Sequence, residues 1–244
     1  FFQDDIFILD KCWLLSFHEK YQRNVGIPFT CLVRANLIDE QIVSKLKKAG
    51  CVGVQFGIES GNEKIRNHSW RASVAGAQII NTGKLFKRYK IKFKTYNMLG
   101  LPSEDMESMF DTARINIRIK TDLPWASLLM PYPKTDIADM MIQNNELPKN
   151  YNLDNIRSTF FDMKAITKKE KVTLNFQRLF IICVKFPFLF PLIKKLILLL
   201  PNRIYDYIFY FSELYVYKKS ENLGWLDSLK TGYYFKKNNF SQSD

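Results

Sequence analysis

Apolar and polar positions change their period along the 244-residue chain. Strand-like apolar runs lie near residues 1, 29, 52, 92 and 125. The segments between these runs repeat apolar residues at helical spacing, so the pattern predicts an α/β fold built from βα units around a parallel sheet. Residues 136–178 are polar and mixed, whereas residues 179–200 are apolar but interrupted by lysine and proline. This change predicts a mainly helical C-terminal extension without a membrane-spanning helix.

The stretch from residue 50 to residue 61 predicts the most informative strand, because an apolar run ends there in polar residues and glycine. Successive strand side chains point to opposite faces of a sheet. One face would carry Val52, Val54, Phe56 and Ile58, and the other Gly53, Gln55, Gly57 and Glu59. The first face is suited to packing under helices, and the second to the inner wall of a barrel. Glu59 and Ser60 are then expected at the mouth of that barrel.

Several motifs follow one another in the first three fifths of the chain. They are DDIF at 4–7, a strand ending in Arg34, GIES at 57–60 followed by GNE and Arg71, GLPSED at 100–105 and PYPKT at 131–135. Together they resemble the radical S-adenosylmethionine (SAM) enzymes, particularly the cobalamin-binding class. The resemblance implies a partial (β/α)6 TIM-like barrel that lacks its first strand over residues 1–135, followed by the extension at 136–244. Ser103 and Lys134 stand where the family's turns usually have glycine.

The resemblance also implies where SAM binds. Asp4 and Asp5 would lie near its amino group, which a carboxylate binds through a charge-assisted hydrogen bond. Either Arg34 or Arg71 would hold its carboxylate through the planar guanidinium. From the residues alone, Asp4 and Asp5 would instead be interpreted as a pair that anchors a loop or caps a helix. Arg71 on its own is equally typical of the exposed start of a helix.

The remaining site residues follow two predicted strands. The resemblance assigns Glu59 or Ser60 to the ribose hydroxyls of SAM. It implies that Leu99 and Gly100, with the turn that follows them, offer backbone groups and an apolar lip to adenine. We predict Ser103 as the residue that caps the next helix.

The four cysteines, Cys12, Cys31, Cys51 and Cys183, are far apart and surrounded by apolar residues. This spacing predicts buried cysteines in a reducing cytosol rather than a disulfide framework or a CxxC metal site. The CxxxCxxC motif that binds a [4Fe-4S] cluster in the family is absent from the chain. We therefore expect a fragment whose cluster ligands precede residue 1 and which is inactive alone. The resemblance implies SAM and the cluster as cofactors, with cobalamin bound by a preceding domain.

The formal net charge is +12, and residues 164–244 contain 14 Lys and Arg against 6 Asp and Glu. Anionic lipid and nucleic acid both suit such a charge, as does a merely soluble basic surface. We expect residues 179–217 to contact an anionic membrane surface without crossing it, which places the protein in the cytoplasm at the inner face of the membrane. A competing interpretation buries the same residues in the core. Nucleic acid is the less favoured partner.

The function expected from these observations is that of a radical SAM enzyme, either a cobalamin-dependent methyltransferase or a catalyst of related radical chemistry. Its partners would be a small or lipid-like substrate and a reductant protein. Two alternatives stay open. The first is a tRNA-modifying relative that grips RNA with the basic tail, and the second is a non-catalytic barrel remnant that binds a membrane surface or a protein.

Overall fold

The computed structural model describes residues 1–70, 74–156, 168–199 and 203–221, with residues 224, 226, 227 and 230. Four parallel strands form one sheet in sequence order: β1 (Phe29–Leu32), β2 (Cys51–Glu59), β3 (Lys92–Leu99) and β4 (Leu123–Leu128). The predicted α/β fold is confirmed. Because the strands are parallel, their carboxyl ends meet at one edge of the sheet, which we call the carboxyl edge.

Helices connect and follow the strands. They are α1 (Lys11–Asn24), α2 (Glu40–Ala49), α3 (Glu63–Trp70), α4 (Gly76–Arg88), α5 (Met106–Arg118), α6 (Asp136–Gln143), α7 (Lys168–Lys185), α8 (Phe190–Leu196) and α9 (Arg203–Glu221), with 3₁₀ turns at Ala35–Leu37, Leu153–Asn155 and Pro187–Leu189. The first two helices each begin at an aspartate cap. Asp10 accepts a hydrogen bond from the Trp13 N–H at 2.9 Å, and Asp39 accepts one from the Ile42 N–H at 2.8 Å. Gly50 ends α2 at a φ of +96°.

The strand predicted near residue 1 is reduced to one bridge beside β1. The Phe2 N–H donates to the Thr30 carbonyl at 2.9 Å, and the Phe7 N–H donates to the Leu32 carbonyl at 3.0 Å. Between these two contacts the chain leaves the sheet, and the loop keeps Asp4 and Asp5 exposed. Two adjacent carboxylates are costly to bury, which accounts for the missing strand.

The two faces of β2 alternate as predicted, with one exception. Val54, Phe56 and Ile58 are buried on the helix side of the sheet. Val52 is 46% exposed, because the register between β1 and β2 shifts at this position. Phe29 pairs with Cys51, and the next residue, Thr30, pairs with Gly53, so Val52 has no partner on β1. The shift leaves Val52 outside the ladder, and Cys51 is buried in its place.

Asp105, not Ser103, caps α5, so this prediction was wrong by two residues. The Asp105 carboxylate accepts a hydrogen bond from the Ser108 N–H at 2.8 Å. Ser103 lies two residues earlier with a φ of +59°, and Lys134 in the PYPKT turn has a φ of +67°. Residues other than glycine rarely adopt this conformation. Both turns therefore keep the backbone typical of the glycine that is usual at these positions.

The C-terminal extension shares a core with the sheet. Helix α7 lies along β4, the last strand of the sheet, and the Gln177 side chain donates to the Ala126 carbonyl at 3.2 Å. Phe176 and Phe180 are fully buried, and Phe176 packs edge-on against Phe110 of α5. Much of α7 is thus core, as the competing interpretation of this stretch predicts. Among the helices of the described ranges, none combines the length and the apolar character needed to cross a membrane.

Candidate active site at the carboxyl edge

Glu59 ends β2 in an unusual backbone conformation. Its φ is +63°, and the register between β2 and β3 shifts between Gly57 and Glu59. The carboxyl group folds back over Gly57, where a Cβ atom would overlap its Oε1 atom. A positive φ at a residue other than glycine costs on the order of 1–3 kcal/mol, and such strain is concentrated at functional sites. The glycine makes room for this arrangement.

The Glu59 carboxyl group has no partner among the residues that the structure describes. Burial raises its pKa to about 7. Within the described ranges, neither a hydrogen-bond donor nor a cation pairs with it. A half-buried carboxyl group without donors gains free energy when a ligand supplies them. Hydroxyl and amino groups are suitable donors, and the role of Glu59 toward ribose stays a prediction.

Aromatic side chains lie beside Glu59 on the inner face of the sheet. Gly57 pairs in register with Tyr96, which pairs with Trp125. The Tyr96 hydroxyl group is hydrogen-bonded to Gln55, and the Lys94 amine lies 4.0 Å from the centre of the Trp125 ring. This aromatic wall was not part of the sequence prediction. The period of two that was applied to β2 would have identified it if it had also been applied to β3 and β4.

The turn after Glu59 is held from inside the protein. Ser60 is completely buried, and its hydroxyl oxygen accepts a hydrogen bond from the Asn62 N–H at 3.2 Å. The Arg66 guanidinium donates to the Ser60 carbonyl at 2.5 Å and to the Val74 carbonyl at 2.9 Å. Ser60 thus shapes the turn from within, and Glu59 is the member of the pair that is open to a ligand.

Arg66 is a buried charge that the sequence prediction missed. It is 2% exposed, and its Nη2 atom has no hydrogen-bond partner within the described residues, although Glu63 lies 3.6 Å away. Burial lowers its pKa. Its position one helical turn after the GNE sequence was the available signal, because an arginine there can reach back to the preceding turn.

The turn after β3 is organised by Glu104. Its Oε2 atom accepts hydrogen bonds from the N–H groups of Gly100 at 2.6 Å and Leu101 at 3.2 Å. Gly100 has a φ of +83°, and the Leu99 carbonyl accepts a hydrogen bond from the Leu129 N–H at 2.8 Å. Burial raises the pKa of Glu104 to about 7. The N–H groups of Gly100 and Leu101 are therefore bonded within the protein, and the side chains of Leu99 and Leu101 are completely buried.

The other predicted site residues lie around the end of β1. Asp4 and Asp5 occupy the exposed loop beside Leu32, and Arg34 follows β1 and is exposed. None of the three forms an ion pair in the part of the chain that the structure describes. Arg71 lies outside the described residues. Asp4, Asp5, Arg34, Glu59 and Gly100 thus all occur at or beside the carboxyl edge.

The cysteines do not converge on a metal site. Cys31 and Cys51 are buried, and so is Cys183 on α7, whereas Cys12 on α1 is exposed, contrary to prediction. A hydrogen bond with Cys51, together with burial, raises the pKa of the Cys31 thiol. Across the described ranges, no group of three or more His, Cys, Asp or Glu residues is arranged to hold a metal ion. These residues do not fit a [4Fe-4S] cluster, which requires convergent cysteine thiolates.

The chain resembles curated proteins over part of their length. An uncharacterised methyltransferase of Pyrococcus horikoshii is 27% identical over 147 residues, which are 60% of this chain and 32% of that protein. An uncharacterised protein of Methanocaldococcus jannaschii is 28% identical over 113 residues, which are 46% of this chain and 21% of that protein. The chain thus matches about a third of the first relative and about a fifth of the second.

Two solved structures show partial similarity. The radical SAM methyltransferase TsrM of Kitasatospora setae, solved with cobalamin and a [4Fe-4S] cluster, is 16% identical with a TM-score of 0.49, over 55% of this chain and 27% of that one. The radical SAM enzyme coproporphyrinogen III oxidase (HemN) of Escherichia coli is 12% identical with a TM-score of 0.48, over 75% and 37%.

The sequence profile of the radical SAM superfamily matches residues 3–115. The matched part runs from the loop of Asp4 and Asp5 to α5, and it includes Glu59 and Gly100 at the carboxyl edge. Residues 3–115 of this chain therefore belong to the radical SAM superfamily.

Proposed function

We propose that residues 1–135 form the SAM-binding part of a radical SAM methyltransferase whose chemistry uses cobalamin. The observation that carries the proposal is the unpartnered carboxyl group of Glu59 at the carboxyl edge, within the sequence that matches the superfamily. A parallel α/β sheet binds ligands at this edge. The curated relative that is named a methyltransferase supports methyl transfer, and the motifs support cobalamin.

The residues of this chain fit the polar groups of SAM. Glu59 would accept hydrogen bonds from the ribose hydroxyls, and the absent side chain at Gly57 leaves space beside that carboxyl group. Asp4 or Asp5 would bind the amino group, and Arg34 the carboxylate. Adenine would pack against the turn at Gly100, whose own N–H is occupied by Glu104. SAM, once bound, supplies the methyl group or the 5′-deoxyadenosyl group that the reaction consumes.

The cluster needs ligands other than the four cysteines of this chain, all of which the structure describes, because no three of them converge. We propose that its ligands lie outside residues 1–244, as the missing CxxxCxxC motif indicates. The chain would then bind and orient SAM while another part of the protein supplies the redox centre. A small or lipid-like substrate, a reductant protein and contact with a membrane surface are further proposals for the partners of this protein.

SAM consumption by the complete natural protein tests this function. The protein is expressed from its full reading frame, reconstituted anaerobically with iron and sulfide, and incubated with dithionite, cobalamin and SAM. We expect S-adenosylhomocysteine or 5′-deoxyadenosine to form, as measured by mass spectrometry. Residues 1–244, treated in the same way, are the control and should form neither product. The proposal fails if the complete protein carries a full cluster and leaves SAM intact, or if residues 1–244 alone assemble a stoichiometric cluster.

A further inference from the structure

One corner of the C-terminal extension presents large apolar side chains to solvent. We define the α8 corner as residues 186–195. Phe186 is 46% exposed, Phe188 is 77% exposed and Leu192 is 51% exposed. The Phe186 and Phe188 rings lie 6.1 Å apart, and Leu192 follows Phe188 by one helical turn, so the three side chains are neighbours. Neighbouring exposed apolar side chains of this size mark an interaction surface.

The α8 corner is firmly attached to the fold. Phe190 packs 5.2 Å from Phe110 of α5, and Ile193 is 2% exposed in the core. The Lys194 amine donates to Glu107 of α5 at 2.9 Å. Because the inward face is held at these points, the three exposed side chains are displayed by a fixed scaffold.

Several cations lie on α5 and α8 near this corner. A cleft of about 300 Å³ lies beside the contact between α8 and α5, lined by Pro187 and Phe190 on one side and by Arg114 and Arg118 of α5 on the other. Arg114 is neutralised by two carboxylates, Glu107 at 2.8 Å and Asp111 at 2.7 Å.

Two further cations lie exposed in this region, one on α5 and one on α8. Arg118, one turn beyond Arg114 on the same face, is exposed and has no ion-pair partner within the described ranges. The same is true of Lys195, which lies one turn after Leu192. The α8 corner and the part of α5 that shares the cleft with it thus each carry an exposed cation.

We propose that the α8 corner binds the surface of an anionic phospholipid bilayer. Phe186, Phe188 and Leu192 would enter the headgroup boundary, where apolar side chains gain free energy. Arg118 and Lys195 would bind lipid phosphates, since a guanidinium matches phosphate geometry and lysine can keep its amine at headgroup level. Charge complementarity selects this occupant, because an apolar pocket of a protein would leave both cations unsatisfied.

This surface is narrower than the stretch 179–217 expected from the sequence. Leu179, Phe180 and Cys183 face the core and are unavailable to lipid. The proposal is independent of SAM chemistry, because it depends only on the exposed side chains and charges of residues 118 and 186–195.

Sedimentation of residues 1–244 with vesicles tests the proposal. We expect binding to vesicles of phosphatidylcholine mixed with phosphatidylserine, a decrease at high salt, and little binding to phosphatidylcholine alone. Phe188→Ser should lower the partition coefficient about tenfold or more, because a buried phenyl ring is lost. Arg118→Glu should lower it about tenfold as well, because an attraction becomes a repulsion.

Matched variants elsewhere in the chain control for nonspecific effects of losing an exposed apolar side chain or of reversing an exposed charge. Leu9 is 70% exposed, and Arg23 lies exposed on α1, so Leu9→Ser and Arg23→Glu should bind vesicles like the unmodified chain. Equal melting temperatures would establish that all variants are folded. The proposal is overturned if the unmodified chain ignores anionic vesicles, or if the Leu9 and Phe188 variants behave alike. It is also overturned if Phe188→Ser instead abolishes a dimer seen by analytical ultracentrifugation.

Discussion

Gly61→Ala is expected to lower the free energy of unfolding of residues 1–244 by about 3 kcal/mol or more. A Cβ atom at this position would overlap the carbonyl group of Asp111 and the amide nitrogen of Thr112 in α5. The Gly61 N–H also donates to the Thr112 hydroxyl at 2.8 Å, which holds the two segments together. Because the opposing atoms are backbone, no change of rotamer relieves the clash. Urea denaturation measures the loss.

Gly76→Ala is the matched control. Its Cβ atom would meet only side-chain ends, Glu63 Oε2 at 3.3 Å and Arg66 Nη2 at 4.0 Å, and alanine is a better helix former than glycine at the start of α4. We expect this variant to match or slightly exceed the stability of the unmodified chain. A Gly61→Ala variant as stable as Gly76→Ala would contradict the close approach of α5 to the turn that follows GIES.

Periodicity predicted the parts of the fold that depend on local rules. The buried face of β2 and the Asp10 and Asp39 caps follow from side-chain alternation and from hydrogen bonding within a few residues. Val52 escaped prediction because its exposure depends on the register that β1 adopts beside it. The cap of α5 was missed because Ser103 and Asp105 are both good capping residues. The choice between them depends on a left-handed turn conformation that glycine is not there to signal.

The candidate site likewise contains residues whose position follows from local sequence rules and residues whose contacts do not. Glu59 was predicted at the mouth of the barrel because strand alternation and the position of the strand's end are visible in the sequence. The inward orientation of Ser60 was not visible, since it depends on Arg66 reaching back from α3. The occupied N–H of Gly100 likewise depends on Glu104, whose carboxylate reaches back across the turn from the start of α5. Contacts made by long side chains across a turn carry no periodic signal.

Stability is expected to fall as the pH rises from 5 to 8, and Glu213 of α9 should be the main cause. This side chain is 5% exposed, and burial raises its pKa from 4.5 to about 8, although Lys94 and Arg178 favour the charged form. Between these two values the folded state keeps a proton that the unfolded state has released. The free energy of unfolding therefore decreases with pH, by up to about 1.4 kcal/mol per unit for one carboxyl group.

Glu213→Gln removes this titration and tests its origin. Glu59 and Glu104, with pKa values raised to about 7, contribute with the same sign and remain in the variant. We expect the unmodified chain to lose on the order of 3 kcal/mol more than the variant between pH 5 and pH 8, as measured by urea denaturation. Asp154→Asn, on an exposed 3₁₀ turn and without an ion-pair partner in the described ranges, is the control and should leave the pH profile unchanged. Identical profiles for the Glu213 variant and the unmodified chain would exclude a buried carboxyl group at this position.

Calorimetric titration of SAM into the complete, cluster-containing protein tests the central claim, that Glu59 at the end of β2 binds this ligand. Glu59→Gln should weaken binding by about one to two orders of magnitude, since a charged hydrogen bond contributes about 1.5–3 kcal/mol. Ribose donors favour the ionised carboxylate, so the affinity of the unmodified protein should rise between pH 6 and pH 8, and the variant should lack that part of the rise. Glu40→Gln on the exposed side of α2 should bind like the unmodified protein. Equal affinity and equal pH dependence for Glu59→Gln and the unmodified protein would contradict the assignment of this carboxyl group to SAM.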